Sequence, residues 1–227
     1  MRQSNRARRL SIKVFPRGRV EVVVPKRTRA RDVQAFVDEH RAWIEKSRAS
    51  FASVLPPEPF VLPNRVDLPA IGQRFRVRYE RRSDARTVRF RSRDNVVVLS
   101  GSTGDDTQCV KALKRWLASL ARTEFRPRLD SLAELTENPF TAMHVRGQRT
   151  CWGSHSSSGT ISINYCLLFL EPELLRYLMI HELCHARHMN HSRRFWQYVG
   201  RFEPDYRRID KALGESWKQI PAWLGIY

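Results

Sequence analysis

Between Pro172 and about Met189 the chain sets Leu174, Leu175, Leu178, Ile180 and Leu183 at helical spacing, and among them stands His181-Glu182-Leu183-Cys184-His185. Proline suits the first turn of a helix, and a helix this apolar must be packed inside a core. Any fold the chain adopts therefore has to bury a helix carrying two imidazoles and a carboxylate, groups seldom enclosed without a partner. Positions four apart share a helix face, so both histidines can reach a single metal ion. Glu182 lies about 100° further round and is placed to hold a water beside such an ion, not the ion itself. Zinc in a catalytic site keeps one position open and brings the pKa of water there to about 7. A neighbouring glutamate then takes the proton as general base and returns it to the leaving group.

A third protein ligand is needed, and His188 and His191 compete for the place. His188 is seven residues beyond His181, about 10.5 Å along a straight helix, whereas Zn–N bonds of about 2.0–2.1 Å keep ligand nitrogens within about 4 Å of one another. His191 follows Asn190, which tolerates the left-handed conformation that ends helices, and precedes Ser192, a good N-cap for a following helix. That turn can swing His191 back. The expected site is one zinc per chain on His181, His185 and His191, with Glu182 as the base.

The 227 residues correspond to one or two domains. Four cysteines without a C-x-x-C pair speak against a disulfide framework or an all-cysteine zinc site. The longest apolar run, Tyr165–Leu170, is far short of the roughly 20 residues that span a bilayer. No secretory apolar core follows the basic N-terminus. The expectation is a soluble, cytoplasmic protein with no membrane partner.

Charge is unevenly spread: 24 basic and 10 acidic residues fall in 1–100, against 17 and 13 in 101–227, for a total of +18. Within the basic half, Leu10–Phe15 and Arg19–Val24 alternate like two strands of a hairpin about Pro16-Arg17-Gly18. Apolar spacing of three and four predicts one helix over 30–51, and five prolines between Leu55 and Pro69 predict a linker. Arg74, Arg76 and Arg78 alternate with Phe75, Val77 and Tyr79; Arg89, Arg91 and Arg93 alternate with Val88, Phe90 and Ser92. Alternation buries one row and exposes three arginines on the other face. With 95–99, these strands are expected to form a small antiparallel sheet whose arginines hold an anionic partner, nucleic acid or nucleotide. A helix then runs from near Asp105 past Leu120. Short strands at 142–145, 150–153 and 160–164 precede helices at 172–189, 192–201 and 204–213.

His181-Glu182-Leu183-Cys184-His185, Met189-Asn190-His191-Ser192, Phe195-Trp196 and Glu203-Pro204-Asp205-Tyr206 together resemble the YgjP-like (domain of unknown function 45) metal-dependent hydrolases, relatives of the SprT-like and minimal-gluzincin metallopeptidases. Trp152-Gly153-Ser154, Gly159–Asn164 and the Leu10–Pro25 hairpin match as well, so the resemblance spans nearly the whole chain. It implies an α+β fold: a basic β-rich part over 1–100, then a helical zincin-like metallohydrolase domain with a small antiparallel sheet over 101–227. It also implies zinc on His181, His185 and His191, Glu182 as base, and a cleft bordered by Trp152, Gly153, Ser154 and His155. Cys151 and His155 stand where the family usually has arginine and cysteine, and Tyr165-Cys166 where Trp-Arg is common. His155 is either a surface residue or a donor to a developing oxyanion; Glu171, Glu203 and Asp205 are candidates to sit behind the zinc ligands.

The expected activity is that of a zinc metallopeptidase acting on a peptide or protein. A phosphohydrolase acting on nucleotides or nucleic acid is the alternative, although no acidic cluster for magnesium is present. A basic nucleic-acid-binding module with a structural metal is the third reading. Structural zinc sites have four protein ligands, commonly cysteines.

Overall fold

A computed structural model describes every residue except 5, 6, 8, 15–19, 53–59, 149, 226 and 227. Contacts divide the chain between Phe60 and Val61. The arginine strands, expected with residues 1–100, therefore lie in the larger unit, Val61–Ile226.

In the smaller unit, Met1–Phe60, strand β3 (Val20–Pro25) is the middle of a three-stranded sheet, parallel to β1 (Arg2–Ser4) and antiparallel to β2 (Ser11–Val14). Val22 and Val24 on one face of β3 meet Val33, with Leu10, Ile12 and Val37 around them. The hairpin turn expected at Pro16-Arg17-Gly18 lies outside the described residues, as does much of the proline-rich stretch. Where spacing predicts one helix there are two, α1 (Ala30–Glu39) and α2 (Arg41–Ala52). His40 leaves helical geometry between them (φ −97°, ψ 7°), and its Nδ1 donates to the Phe36 carbonyl at 2.9 Å. A one-residue break barely shifts the apolar phase, so spacing alone does not register it.

The larger unit begins with a four-stranded sheet ordered β4 (Arg65–Leu68), β5 (Gln73–Arg81), β7 (Val96–Gly101), β6 (Val88–Arg93). It is mixed, not antiparallel: β7 separates the two arginine strands, running parallel to β5 and antiparallel to β6. Asp94 (φ 49°) and Asn95 (φ 59°) turn β6 into β7, the positive φ pair that two-residue type I′ hairpins need. The inner face, with Val66, Leu68, Phe75, Val77, Val97 and Leu99, is buried. It packs on α3 (Asp106–Thr136), a helix of 31 residues whose N-cap Asp105 accepts from the Gln108 amide; Trp116 meets Phe75 edge-on at 5.0 Å.

A second small sheet follows. Its centre, β10 (Thr160–Asn164), is parallel to β8 (Ala142–Arg146) and antiparallel to β9 (Gly153–His155), so this sheet too is mixed where an antiparallel one is expected. The strand expected over 150–153 begins at Gly153, because Asn164 clamps the preceding loop: its Nδ2 donates to the carbonyls of Gln148 and Cys151. Helices α4 (Pro172–Cys184), α5 (Arg193–Val199) and α6 (Tyr206–Glu215) complete the unit, and α4 packs against α3, β9 and β10. Among the described residues no helix is long and apolar enough to cross a membrane.

Candidate metal centre

Helix α4 ends at Cys184, five residues earlier than spacing predicts. Tight turns through Ala186 and Arg187 follow, their amides donating to Leu183 and Cys184 carbonyls, and α5 starts after Ser192. The reversal carries His191 back over α4. Ligand nitrogens of His181, His185 and His191 lie within 4.8 Å of one another, and the Nε2 atoms of His181 and His191 are 2.9 Å apart. His188 is not in the cluster. Its ring lies against Tyr198, while its carbonyl accepts from His185 Nδ1 at 2.9 Å. That bond keeps the proton on Nδ1 and leaves His185 Nε2 as the free donor.

Fully buried Phe195 is the wedge between the imidazoles, with ring centroids 5.0, 4.5 and 4.9 Å from His181, His185 and His191. Trp196 stacks beside His191 and, on its other side, against Tyr206. The sequence names Phe195 and Trp196 only as part of the family resemblance, with no role at the site; their adjacency to the Ser192 cap is the signal that places them here. Burial holds the His181 imidazole down to about 3, aided by repulsion from His185 and His191, and burial also lowers His185. Neutral imidazoles at short range are the donor set that zinc takes. His181 Nδ1 is buried with no hydrogen-bond partner among the described residues. The carboxylates considered for that role are elsewhere: Glu203 pairs with Arg176, and Glu171 and Asp205 precede α4 and α6 as N-caps.

Glu182 is 4 % exposed, and burial raises its carboxyl to about 8. From α4 it packs against β9: a Cβ at Gly153 would come within 2.6 Å of Glu182 Oε1 and 2.9 Å of Cγ. Only glycine leaves the glutamate this space. His155, at the end of β9, donates from Nδ1 to the Glu182 backbone carbonyl at 2.5 Å, and its ring is edge-on to His185 at 6.4 Å. It is thus a half-buried neighbour of the site, not a free surface histidine. Ser154 is exposed. Trp152 departs from the cleft-lining role: its buried indole donates to the Leu213 carbonyl and stacks on Trp217, tying this strand to the segment after α6.

The six sequence-singled arginines, Arg74, Arg76, Arg78, Arg89, Arg91 and Arg93, are all exposed on the outer face of the first sheet of this unit and take no part in the histidine cluster.

A mixed fold that converges three histidines beside a buried glutamate is that of a peptidase-like metallohydrolase. Residues 8–216 match the family model described as the YgjP-like metallopeptidase domain. The chain belongs to that family. Two solved structures resemble part of it: the metallopeptidase zymogen of Methanocaldococcus jannaschii jannalysin (17% identity, TM-score 0.36, 40% of this chain and 94% of that one), and that of Pyrococcus abyssi abylysin (25% identity, TM-score 0.36, 40% and 92%). No curated protein matches the chain.

Proposed function

We propose that the protein is a zinc-dependent metallopeptidase with one zinc per chain, held by His181, His185 and His191, and with Glu182 as general base. One observation carries this reading: three imidazole nitrogens within 4.8 Å of one another, beside a glutamate that the missing side chain of Gly153 admits. When bound, zinc supplies Lewis acidity toward the scissile carbonyl and acidifies water. Glu182 takes one proton from the attacking water as its oxygen joins the carbonyl carbon, then passes it to the amide nitrogen as the C–N bond breaks. A cation beside Glu182 favours its ionised form.

The substrate is an extended peptide or protein segment. Strand β9 is an edge strand. The Asn164 amide donates to the Trp152 carbonyl and the Ser156 amide to the Thr160 carbonyl, so the alternation of an antiparallel ladder turns the backbone groups of Gly153 and His155 away from β10. Those groups can pair with a peptide laid along the edge, with exposed Ser154 and half-buried His155 flanking it. A cytoplasmic setting goes with this reading, since four cysteines without a C-x-x-C pair suit a reducing compartment.

The test is metal analysis of the purified protein together with cleavage of a reduced, unfolded protein substrate. Wild type is expected to hold one zinc per chain and to cleave in a hydroxamate-sensitive way. Release of phosphate or pyrophosphate from nucleotides, without proteolysis, would replace this reading with the phosphohydrolase.

A further inference from the structure

The outer face of the four-stranded sheet carries more positive charge than its own contacts neutralise. Cross-strand register aligns the residues in rows: Arg65, Arg76, Val96 and Arg93 in one, Arg78, Val98 and Arg91 in the next, then Glu80, Ser100 and Arg89. Arg74 lies opposite Asp67 on the same face. Seven arginines thus share the face with two strand carboxylates. Asp67 is shared by Arg65 and Arg74, and Glu80 reaches Arg91 at 3.8 Å. Among the described residues Arg76, Arg78 and Arg89 make no ion pair.

This layout is unfavourable in the isolated protein. Arg65 stands directly opposite Arg76, and like charges at facing positions destabilise a sheet. Arginines recur about every 7 Å along β5 and β6, and the two lines are about 10 Å apart across β7. Every aromatic side chain of these strands, Phe75, Tyr79 and Phe90, belongs to the opposite, α3-facing row of the alternation. The face therefore offers guanidinium groups but no stacking platform. At its β4–β5 end a cleft of about 770 Å³ is lined by Asn64, Arg65, Arg74, Arg76, Asp94 and Asn95, beside buried Phe75.

We infer that this arginine face of β5, β7 and β6 is a binding surface for the phosphate backbone of nucleic acid, independent of base sequence. Guanidinium pairs bidentately with phosphate oxygens, and phosphate contacts carry no sequence information. A surface without exposed aromatics lacks the stacking on which many single-strand binders rely, so the ligand is the backbone itself. Because the face and the candidate metal centre belong to the same compact unit, bound nucleic acid would keep the peptidase site among nucleic-acid-associated proteins.

The test uses the full chain and a fluorescent mixed-sequence DNA duplex of about 20 base pairs, with binding read by anisotropy at about 50 and 200 mM salt. Four or five phosphate contacts predict a loss of roughly 10²-fold over that range. The variant Arg76→Ser, Arg78→Ser, Arg89→Ser, Arg91→Ser is expected to weaken binding at low salt by at least tenfold and to reduce the log–log salt slope by about one per arginine removed, with its circular dichroism unchanged. A second variant removes the same charge elsewhere, at exposed Arg27, Arg29, Arg122 and Arg194, and is expected to retain most of the affinity. Equal losses in the two variants would reduce the effect to net charge and overturn the assignment. Absence of binding by wild type, or equally tight binding of a polyglutamate chain of matched charge, would overturn it as well. None of these readouts depends on peptidase activity.

Discussion

Two parts of the larger unit are built on opposite principles. The histidine cluster gathers side chains from α4, the turn after it, α5 and β9 into a place where Glu182 and His185 are buried. The arginine face draws on one sheet and leaves every guanidinium in water. In the first, burial tunes the chemistry: it lowers His181 and raises Glu182. In the second, water screens each charge, so individual pairs such as Arg74–Asp67 contribute little by themselves. Only the sum of charges matters there. Single substitutions should therefore be decisive at the cluster, while the face yields only to several at once.

The sharpest way to break that contrast is Glu182→Gln, which keeps shape and leaves the histidines untouched. Hydrolysis is expected to fall by ~10²-fold or more while zinc stays bound; full turnover with zinc present would remove Glu182 from the chemistry. Next comes His191→Ala, expected to lose zinc by more than the ~10–100-fold that loss of an outer hydrogen-bond partner costs. His188→Ala should hold zinc nearly as wild type does, since only the His188 backbone carbonyl supports His185. Zinc titration with a chromogenic chelator distinguishes the two. Gly153→Ala tests whether the close approach of β9 to Glu182 matters. The added methyl pushes on the carboxylate, and misplacement of a reacting group by about 1 Å can cost up to ~10²-fold in rate; kcat should fall with zinc content intact.

The smallest effect is thermodynamic and concerns metal-free protein. The Glu182 carboxyl titrates near 8 when folded and near its ordinary 4.5 when unfolded. The folded state holds the proton longer, so the stability it contributes is full below about 4.5 and is lost as pH rises toward 8. Urea midpoints in chelator should therefore fall between about pH 7 and pH 8, a slope that Glu182→Gln flattens.

Much of this architecture is legible in one dimension where a single element carries the pattern. The spacing of His181 and His185, the apolar α4 and the alternation of Arg74–Tyr79 need only local geometry, because helix and strand periods fix which residues share a face. Even His191 follows from local chemistry, an Asn-His-Ser turn between two helices. What sequence did not reveal lies between elements. His155 reads as either a surface residue or an oxyanion donor until β9 is laid on α4, and Trp152 reads as a cleft residue until its indole meets the Leu213 carbonyl. Asn164 ends a stretch that matches the family, yet nothing in the sequence says that it clamps the loop before β9.

The arginine strands show the division most clearly. Alternation alone determined that each strand would expose one arginine row and bury an apolar one, since successive side chains point to opposite faces whatever the partner. It could not determine that β7 would run between them, parallel to β5, because pairing order depends on which buried rows fit α3. The same holds for the metal centre. Sequence determined that two histidines share a helix face and that a turn returns a third; only the tertiary packing of β9 against α4 made room at Gly153 for the glutamate, because that contact joins residues far apart in the chain.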